Sequence, residues 1–322
     1  INILMKLGSV AVFSITNEDD EIERNSKRFP GLVLWSNHSV TNIPPQRSFW
    51  QKIKWWLQPR KHYLTDSPYR DFISQELDRV LAEFQPDMVV FEELRLYHYL
   101  PVVKGRGCRV VLDDHNIEAP LFLENEPSVA GLKSKVRLSI LFQKIKSIER
   151  DFIRQVDQVW LCSDADASLV RKMYGQFPHI RVVPNSIDVA HYDCVRLSKC
   201  DPPSELQQVP LTLFFAAMFA YPPNQLAAQL LIEQILPRLQ EIYPNCRLIL
   251  AVKFPTPDML EAARQSPQVI VTGLVDDIRP YMSISNVVII PLLQGGGTRL
   301  KILEAFAAAL PVVSTAKGAE GL

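Results

Sequence analysis

The chain has 322 residues, 47% hydrophobic and 22% charged, with 35 Lys and Arg balanced by 35 Asp and Glu. This composition excludes a disordered or collagen-like polymer, and zero net charge excludes a global field that would draw the molecule onto nucleic acid. Length predicts about two domains at roughly 100–200 residues each. Five cysteines without a C-x-x-C spacing suggest neither a disulfide framework nor a zinc site, which fits a reducing cytosol. The longest apolar run, 211–221, falls short of the ~18 residues a membrane-crossing helix needs. The chain begins at Ile1 and stops at Leu322 just after a predicted strand, so elements are expected to be missing at both ends.

Along the chain, short β-branched runs alternate with long amphipathic segments, the pattern of parallel sheets crossed by helices. The first half predicts strands at 10–15, 32–35, 88–92, 109–113, 158–162 and 180–183. A helix is expected from Pro68, capped by Asp66 or Ser67, with Ile73, Leu77, Val80, Leu81 and Phe84 on one face and Pro86 ending it. A second helix is expected over 134–156 and a third after Ser163. Periodicity disappears over 188–209, where Pro202, Pro203, Ser204, Gln207 and Gln208 read as an interdomain linker. Alternation then restarts, with strands at 211–218, 247–252, 269–272, 286–292 and 312–315 and helices at 223–242, 257–264, 278–283 and 298–309. The expected fold is α/β: two tandem Rossmann-like, doubly wound domains, 1–187 and 210–322. Ligands of such sheets lie beyond the carboxyl ends of the strands, so chemistry is expected just after each strand.

The segment 47–61 contains no acid. As a helix it places Phe49, Trp50, Ile53, Trp56 and Leu57 on one face, while Lys52, Lys54, Arg60 and Lys61 supply charge. Two readings stay open: a helix packed on its own domain, or a peripheral contact with the inner face of a membrane. RNA binding is the weakest reading, because the chain is neutral and carries no RNA-binding motif.

From Pro291 to Glu304 a predicted strand runs into Gly295, Gly296 and Gly297 and then a helix from Thr298. Glycines let the backbone approach a ligand closely, and the free N–H groups of a helix start suit a phosphate. Arg299 and Lys301 add positive charge, and Glu304, one turn after Lys301, can accept the hydroxyls of a ribose. The plain alternative is a Gly-rich turn followed by a surface Lys–Glu pair. Neither G-x-x-x-x-G-K-[ST] nor a strand-following G-x-G-x-x-G occurs, which disfavours a P-loop ATPase or an ordinary nicotinamide enzyme. His115 follows a predicted strand and either hydrogen-bonds a substrate or is satisfied within its loop. Asp164 and Asp166 form a D-x-D that can hold a metal, but Ser163 followed three residues later by an acid is a helix cap. The six histidines show no ligand spacing, so no metal site is expected.

The pieces 113–118 (DDHNIE), 183–188 (VPNSID), 221–224 (YPPN), 272–276 (TGLVD), 295–305 (GGGTRLKILEA), 311–315 (PVVST) and 318–322 (GAEGL), in this order, resemble glycosyltransferase family 4. The resemblance covers nearly all of 85–322. It implies the GT-B fold, two Rossmann-like domains facing across a cleft. It also implies retaining, metal-independent transfer from a nucleotide-diphosphate sugar to a saccharide or lipid-linked acceptor, with no cofactor beyond the donor. Glu304 looks like the second Glu of the family's E-x7-E motif, which binds the donor ribose; the first aligns with Gly296. Gly295, Gly296, Gly297, Thr298, Arg299 and Lys301 would then hold the diphosphate and the backbone near Leu274 and Val275 would border the base. His115 looks like the histidine beside the transferred sugar. The family commonly has glycine where this chain has Ala217, Val252 and Ala309, in keeping with a count of only 12. Those departures carry the alternative, a noncatalytic GT-B scaffold acting as a binding or assembly subunit. A cytoplasmic enzyme of polysaccharide biosynthesis is the expectation.

Overall fold

A computed structural model describes residues 2–16, 33–39, 48–125, 131–297 and 299–322; Leu32, Arg47, Thr298 and the side chain of Val252 lie outside it. Two compact units result, Ile1–Leu161 with Ala167–Val182, and Cys162–Asp166 with Val183–Leu322.

In the first unit β1 (Ala11–Thr16) and β2 (Val33–Ser39) pair in parallel as a two-stranded sheet. Helices α1 (Phe49–Leu57) and α2 (Asp71–Phe84) follow. A parallel sheet then runs in the order β3 (Met88–Glu92), β4 (Arg109–Asp114), β5 (Gln158–Leu161), β6 (Ile180–Val182). Helices α3 (Glu118–Asn125) and α4 (Leu132–Gln155) join β4 to β5, and α5 (Asp164–Tyr174) joins β5 to β6. Consecutive residues Val110, Val111 and Leu112 of β4 are all buried, which only a sheet covered on both faces allows.

The apolar stripe of α2 is as expected: Ile73, Leu77, Val80 and Leu81 are buried. Its start is not. Asp66 ends a short separate helix, Tyr63–Asp66, and Ser67 caps that helix's carboxyl end, while α2 begins after an extended Arg70 with no side-chain cap. The Asp66 carboxylate is taken by tertiary partners, Trp55 Nε1 and, at 2.9 Å, His98 Nε2. By contrast Ser163 caps α5 as expected, with the Asp166 N–H donating to Ser163 Oγ at 3.1 Å and that hydroxyl donating to Asp166 Oδ2 at 2.6 Å. The Asp166 carboxylate is thus committed to the cap.

The second unit holds β7 (Thr212–Met218), β8 (Arg247–Lys253), β9 (Val269–Val271), β10 (Val287–Ile290) and β11 (Val312–Ser314), parallel in the order β11-β10-β7-β8-β9. The order reverses between β7 and β10, which makes their carboxyl ends the switch point where such sheets bind ligands. Helix α6 (Pro222–Leu230) continues through a π turn, Leu231–Ile235, into Leu236–Gln240. Pro237, which has no N–H to give, explains the interruption of the expected 223–242 helix. Helix α7 (Pro257–Gln265) is capped by Thr256, and α8 (Leu300–Ala307) follows the glycine turn. The stretch 188–209, expected as a linker, contains two short helices, Val189–Tyr192 and Asp193–Arg196, that bury Tyr192 and Val195 in the second unit's core. Elements of four residues are too short to show a period. Among the described residues no helix is long and apolar enough to cross a membrane.

Candidate functional site

The turn between β10 and α8 requires its glycines. Gly295 has φ 99° and Gly297 φ 77°, and a Cβ on Gly295 would lie 2.9 Å from Tyr221 Oη. Tyr221 comes from the turn after β7, so the two strand ends of the switch point meet here. That turn is itself tied down: Asn224 Nδ2 donates to the Met218 carbonyl at 2.8 Å and Gln225 Nε2 to the Phe219 carbonyl at 2.6 Å.

Arg299 is turned inward rather than outward. It is 9% exposed, and its guanidinium donates to the Gly295 carbonyl at 2.6 Å and to the Gly296 carbonyl. Among the described residues no peptide is cis, and in a trans peptide the N–H points opposite to the C=O. With both carbonyls drawn to Arg299, the N–H groups of Gly296 and Gly297 point away from it, as in an anion-binding nest. Arg299, expected at a diphosphate, is engaged with its own turn, and its planar fork sets the direction of the turn's dipoles. Thr298 lies outside the described residues.

Lys301, half-buried, holds Nζ 4.6 Å from the centre of the Phe215 ring. Burial above all, then the charge of Arg299, lowers its pKa to about 8, with Glu304 opposing. It remains mostly an ammonium at neutral pH. Glu304 is hydrogen-bonded to Tyr192, whose phenol is raised above its ordinary value by burial and then by the Glu304 charge. Tyr192 sits beside His191, whose carbonyl accepts from Arg279 Nη1 at 2.8 Å. The same guanidinium grips Asp277 at 2.7–2.9 Å, and that contact holds the Asp277 carboxyl below its usual range. One chain of contacts thus links Glu304 to the loop carrying exposed Leu274 and half-buried Val275. An open cavity of about 410 Å³ beside Val275 is lined also by Asp201, Ser204 and Tyr281. Tyr192 and Tyr221 were not among the expected site residues, although Tyr221 opens the piece 221–224 and Tyr192 lies four residues beyond the piece 183–188.

In the first unit His115 stands at the carboxyl end of β4, its side chain 39% exposed and Nδ1 3.9 Å from Asp113 Oδ1. The turn is braced by Glu149, fully buried on α4. Its Oε1 accepts the Glu118 N–H at 2.6 Å and its Oε2 the Ala119 N–H at 3.4 Å, which satisfies the start of α3, while the Tyr174 hydroxyl donates to Oε2. Burial raises the carboxyls of Glu149 and Glu118 to about 7 each. Among the described residues no cluster of His, Cys, Asp and Glu has the makings of a metal site.

Residues 210–322 match the family model of glycosyl transferases group 1, and residues 11–191, more than half the chain, match that of Glycosyltransferase Family 4. The chain belongs to glycosyltransferase family 4. No curated protein matches it significantly in sequence. Among solved structures, a glycosyltransferase from Rickettsia africae ESF-5 aligns over 100% of this family 4 chain and 74% of its own, with TM-score 0.60 and 12% identity. Sucrose-phosphate synthase from Thermosynechococcus elongatus aligns over 87% of this chain and 65% of its own (TM-score 0.57, 14% identity). HepE of Anabaena, solved in complex with UDP, aligns over 97% and 81% (TM-score 0.56, 13% identity). At such identities the likeness shows the fold, two Rossmann-like domains of the GT-B type. The family 4 chain spans 44% of the length of another such structure, TarM.

Proposed function

We propose that this family 4 chain is a retaining, metal-independent glycosyltransferase that moves a sugar from a nucleotide-diphosphate sugar to a hydroxyl of a saccharide or lipid-linked acceptor. The observation that carries the reading is the turn at the carboxyl end of β10. Arg299 aims the N–H groups of Gly296 and Gly297 outward, and α8 sets Lys301 and Glu304 within its first two turns.

In the proposed reaction the bond from the anomeric carbon to the β-phosphate oxygen breaks and the acceptor oxygen bonds that carbon on the same face. The acceptor's proton passes to a phosphate oxygen, so no protein base is needed. As the bond breaks, the nucleoside diphosphate gains negative charge. The Gly296 and Gly297 dipoles and the Lys301 ammonium stabilise it, more strongly than in water because the lysine is desolvated. Glu304 gives one hydrogen bond's worth of acceptor capacity to Tyr192 and, with several lone-pair sites, keeps others for ribose hydroxyls. Backbone near Leu274 and Val275 borders the base, and His115 hydrogen-bonds the transferred sugar. The positive charge comes from Lys301 and the dipoles, and Asp166 is spent on the α5 cap, so activity in chelator is expected to persist.

A thermal-shift screen against uridine, guanosine and adenosine diphosphate sugars tests the donor reading, since a ligand of the native state raises apparent stability. One donor class should shift the transition, and Lys301→Ala and Glu304→Ala should abolish that shift. No shift with any donor, or variants that behave as wild type, would refute it. The scaffold alternative, favoured by Gly296 standing where the family places a glutamate, predicts binding without turnover.

A further inference from the structure

We propose that α1 and the N-terminal half of α4 form one docking face for an anionic lipid bilayer. At 100° per residue, Phe49, Ile53, Leu57 and Trp50 fall within an arc of about 100°, and the centre of that arc lies about opposite Trp55. Trp55 marks the inward side of α1. Its Nε1 donates to Asp66, Lys144 Nζ lies 4.4 Å from its ring centre, and the same ammonium donates to the carbonyls of Trp55 at 3.0 Å and Lys61 at 3.3 Å. The apolar arc therefore faces solvent, with Phe49, Trp50, Ile53 and Leu57 exposed by 70%, 76%, 37% and 78%, while Trp56, expected on the same face, sits at its edge and is half-buried against the first unit's core. This is the reverse of an ordinary surface helix, which buries its apolar arc. A capping box between Ser48 and Gln51 supports α1 locally.

Helix α4 repeats the arrangement. Leu132, Val136 and Ile140 make an i, i+4, i+8 row, exposed by 78%, 51% and 41%, and the next residue of that row is Lys144, the contact with α1. Lys52 and Lys54 flank the apolar arc of α1, and Lys133, Lys135 and Arg137 flank the row on α4, all exposed. Neither 48–61 nor 131–148 contains Asp or Glu. Arg60 and Lys61 are set aside, being paired with Asp151 at 2.9 Å and Asp66 at 3.6 Å.

Charge selects the occupant. An apolar face rimmed by Lys and Arg without an acid on either helix segment matches a phosphate-bearing bilayer, into which aromatic and aliphatic side chains sink while the basic side chains reach back to the headgroups. Protein interfaces are depleted in lysine, and a second copy of this face would bring like charges together. The inference is independent of the donor reading, because its test measures partition and not turnover.

The full chain is sedimented with phosphatidylcholine vesicles, with and without about one-third phosphatidylglycerol. Binding should be at least about tenfold tighter to the anionic vesicles and should weaken as salt rises from about 0.1 to about 1 M. Lys52→Ala with Lys54→Ala should weaken it about 30-fold, near fivefold per lysine. Trp50→Ser with Leu57→Ser, both at exposed positions, should abolish it while leaving the thermal transition in place. Equal partition into neutral and anionic vesicles, no partition at all, or a dimer in solution that Trp50→Ser dissociates would overturn the proposal.

Discussion

Replacing Ala309 by glycine should stabilise the second unit. Helix α8 ends at Ala307 with Ala308 as its C-cap, and Ala309 follows in the left-handed region at φ 58°. The Leu310 N–H returns to the Ala305 carbonyl at 2.8 Å and the Ala309 N–H to the Phe306 carbonyl at 3.0 Å. That pair of bonds is the Schellman motif, whose left-handed residue is usually glycine. An L-residue there costs ~1–2 kcal/mol. Glycine recovers this but returns ~0.4–1 kcal/mol through the freedom of the unfolded chain, and the Ala309 methyl is exposed, so little apolar burial is lost. The net gain is ~1 kcal/mol, or about 2–4 °C in the transition of a unit this size. All five tryptophans precede residue 161, so fluorescence follows the first unit, and calorimetry is the assay for the second. The control is Ala308→Gly, one residue earlier at φ −77° and 3% exposed, which should destabilise by ~1–2 kcal/mol. An Ala309→Gly transition that falls or stays put, or two variants that move in the same direction, would refute the reasoning.

Gly295→Ala should lose donor binding and at least ~1 kcal/mol of stability, because φ 99° is closed to L-residues and the new methyl would meet Tyr221 Oη; calorimetric titration with the donor found in the screen checks it. Lys301 has its pKa lowered from 10.5 to about 8, so between those values the unfolded chain binds more protons and stability rises with pH. Donor affinity should fall over the same rise in pH as the ammonium is lost, and Lys301→Met should erase both trends in paired melting and titration series. Glu149 shows the opposite sign: burial raises its carboxyl from 4.5 to about 7, so stability of the first unit should fall as pH rises through that interval. Glu149→Gln should flatten that fall without removing the share due to Glu118, and a profile that keeps its full slope would contradict the assignment.

Sequence reading succeeded where the cause is local. The runs that became β4, β7 and β8 are apolar at consecutive positions because both faces are covered, and Ser163 with Asp166 carries its cap within four residues. The glycine turn was legible because glycine marks positions other residues cannot occupy. Failure came where distant partners decide. Asp66 looked like a cap for α2 but serves Trp55 and His98. The face of α1 was undecidable from its period, since the same spacing fits an inward or an outward arc; Lys144, 89 residues beyond Trp55, fixes which. Pro237 inside the 223–242 helix is the local signal for the π turn.

The fates of Arg299 and Lys301 show why residue type and spacing alone could not assign their roles. Both are cations at the start of α8, and either suits a diphosphate on charge alone. Arginine stays charged in almost any surroundings and presents donors in a rigid plane, so it can be buried against the carbonyls of Gly295 and Gly296 without losing its proton. Lysine withdrawn from water gives up part of its proton affinity, as Lys301 does. Interior scaffolding therefore falls to the arginine, and the titratable, adjustable charge to the lysine. If the turn holds the proposed diphosphate, its affinity depends on a guanidinium that points away from the anion, because that guanidinium holds the two peptide planes with their N–H groups outward.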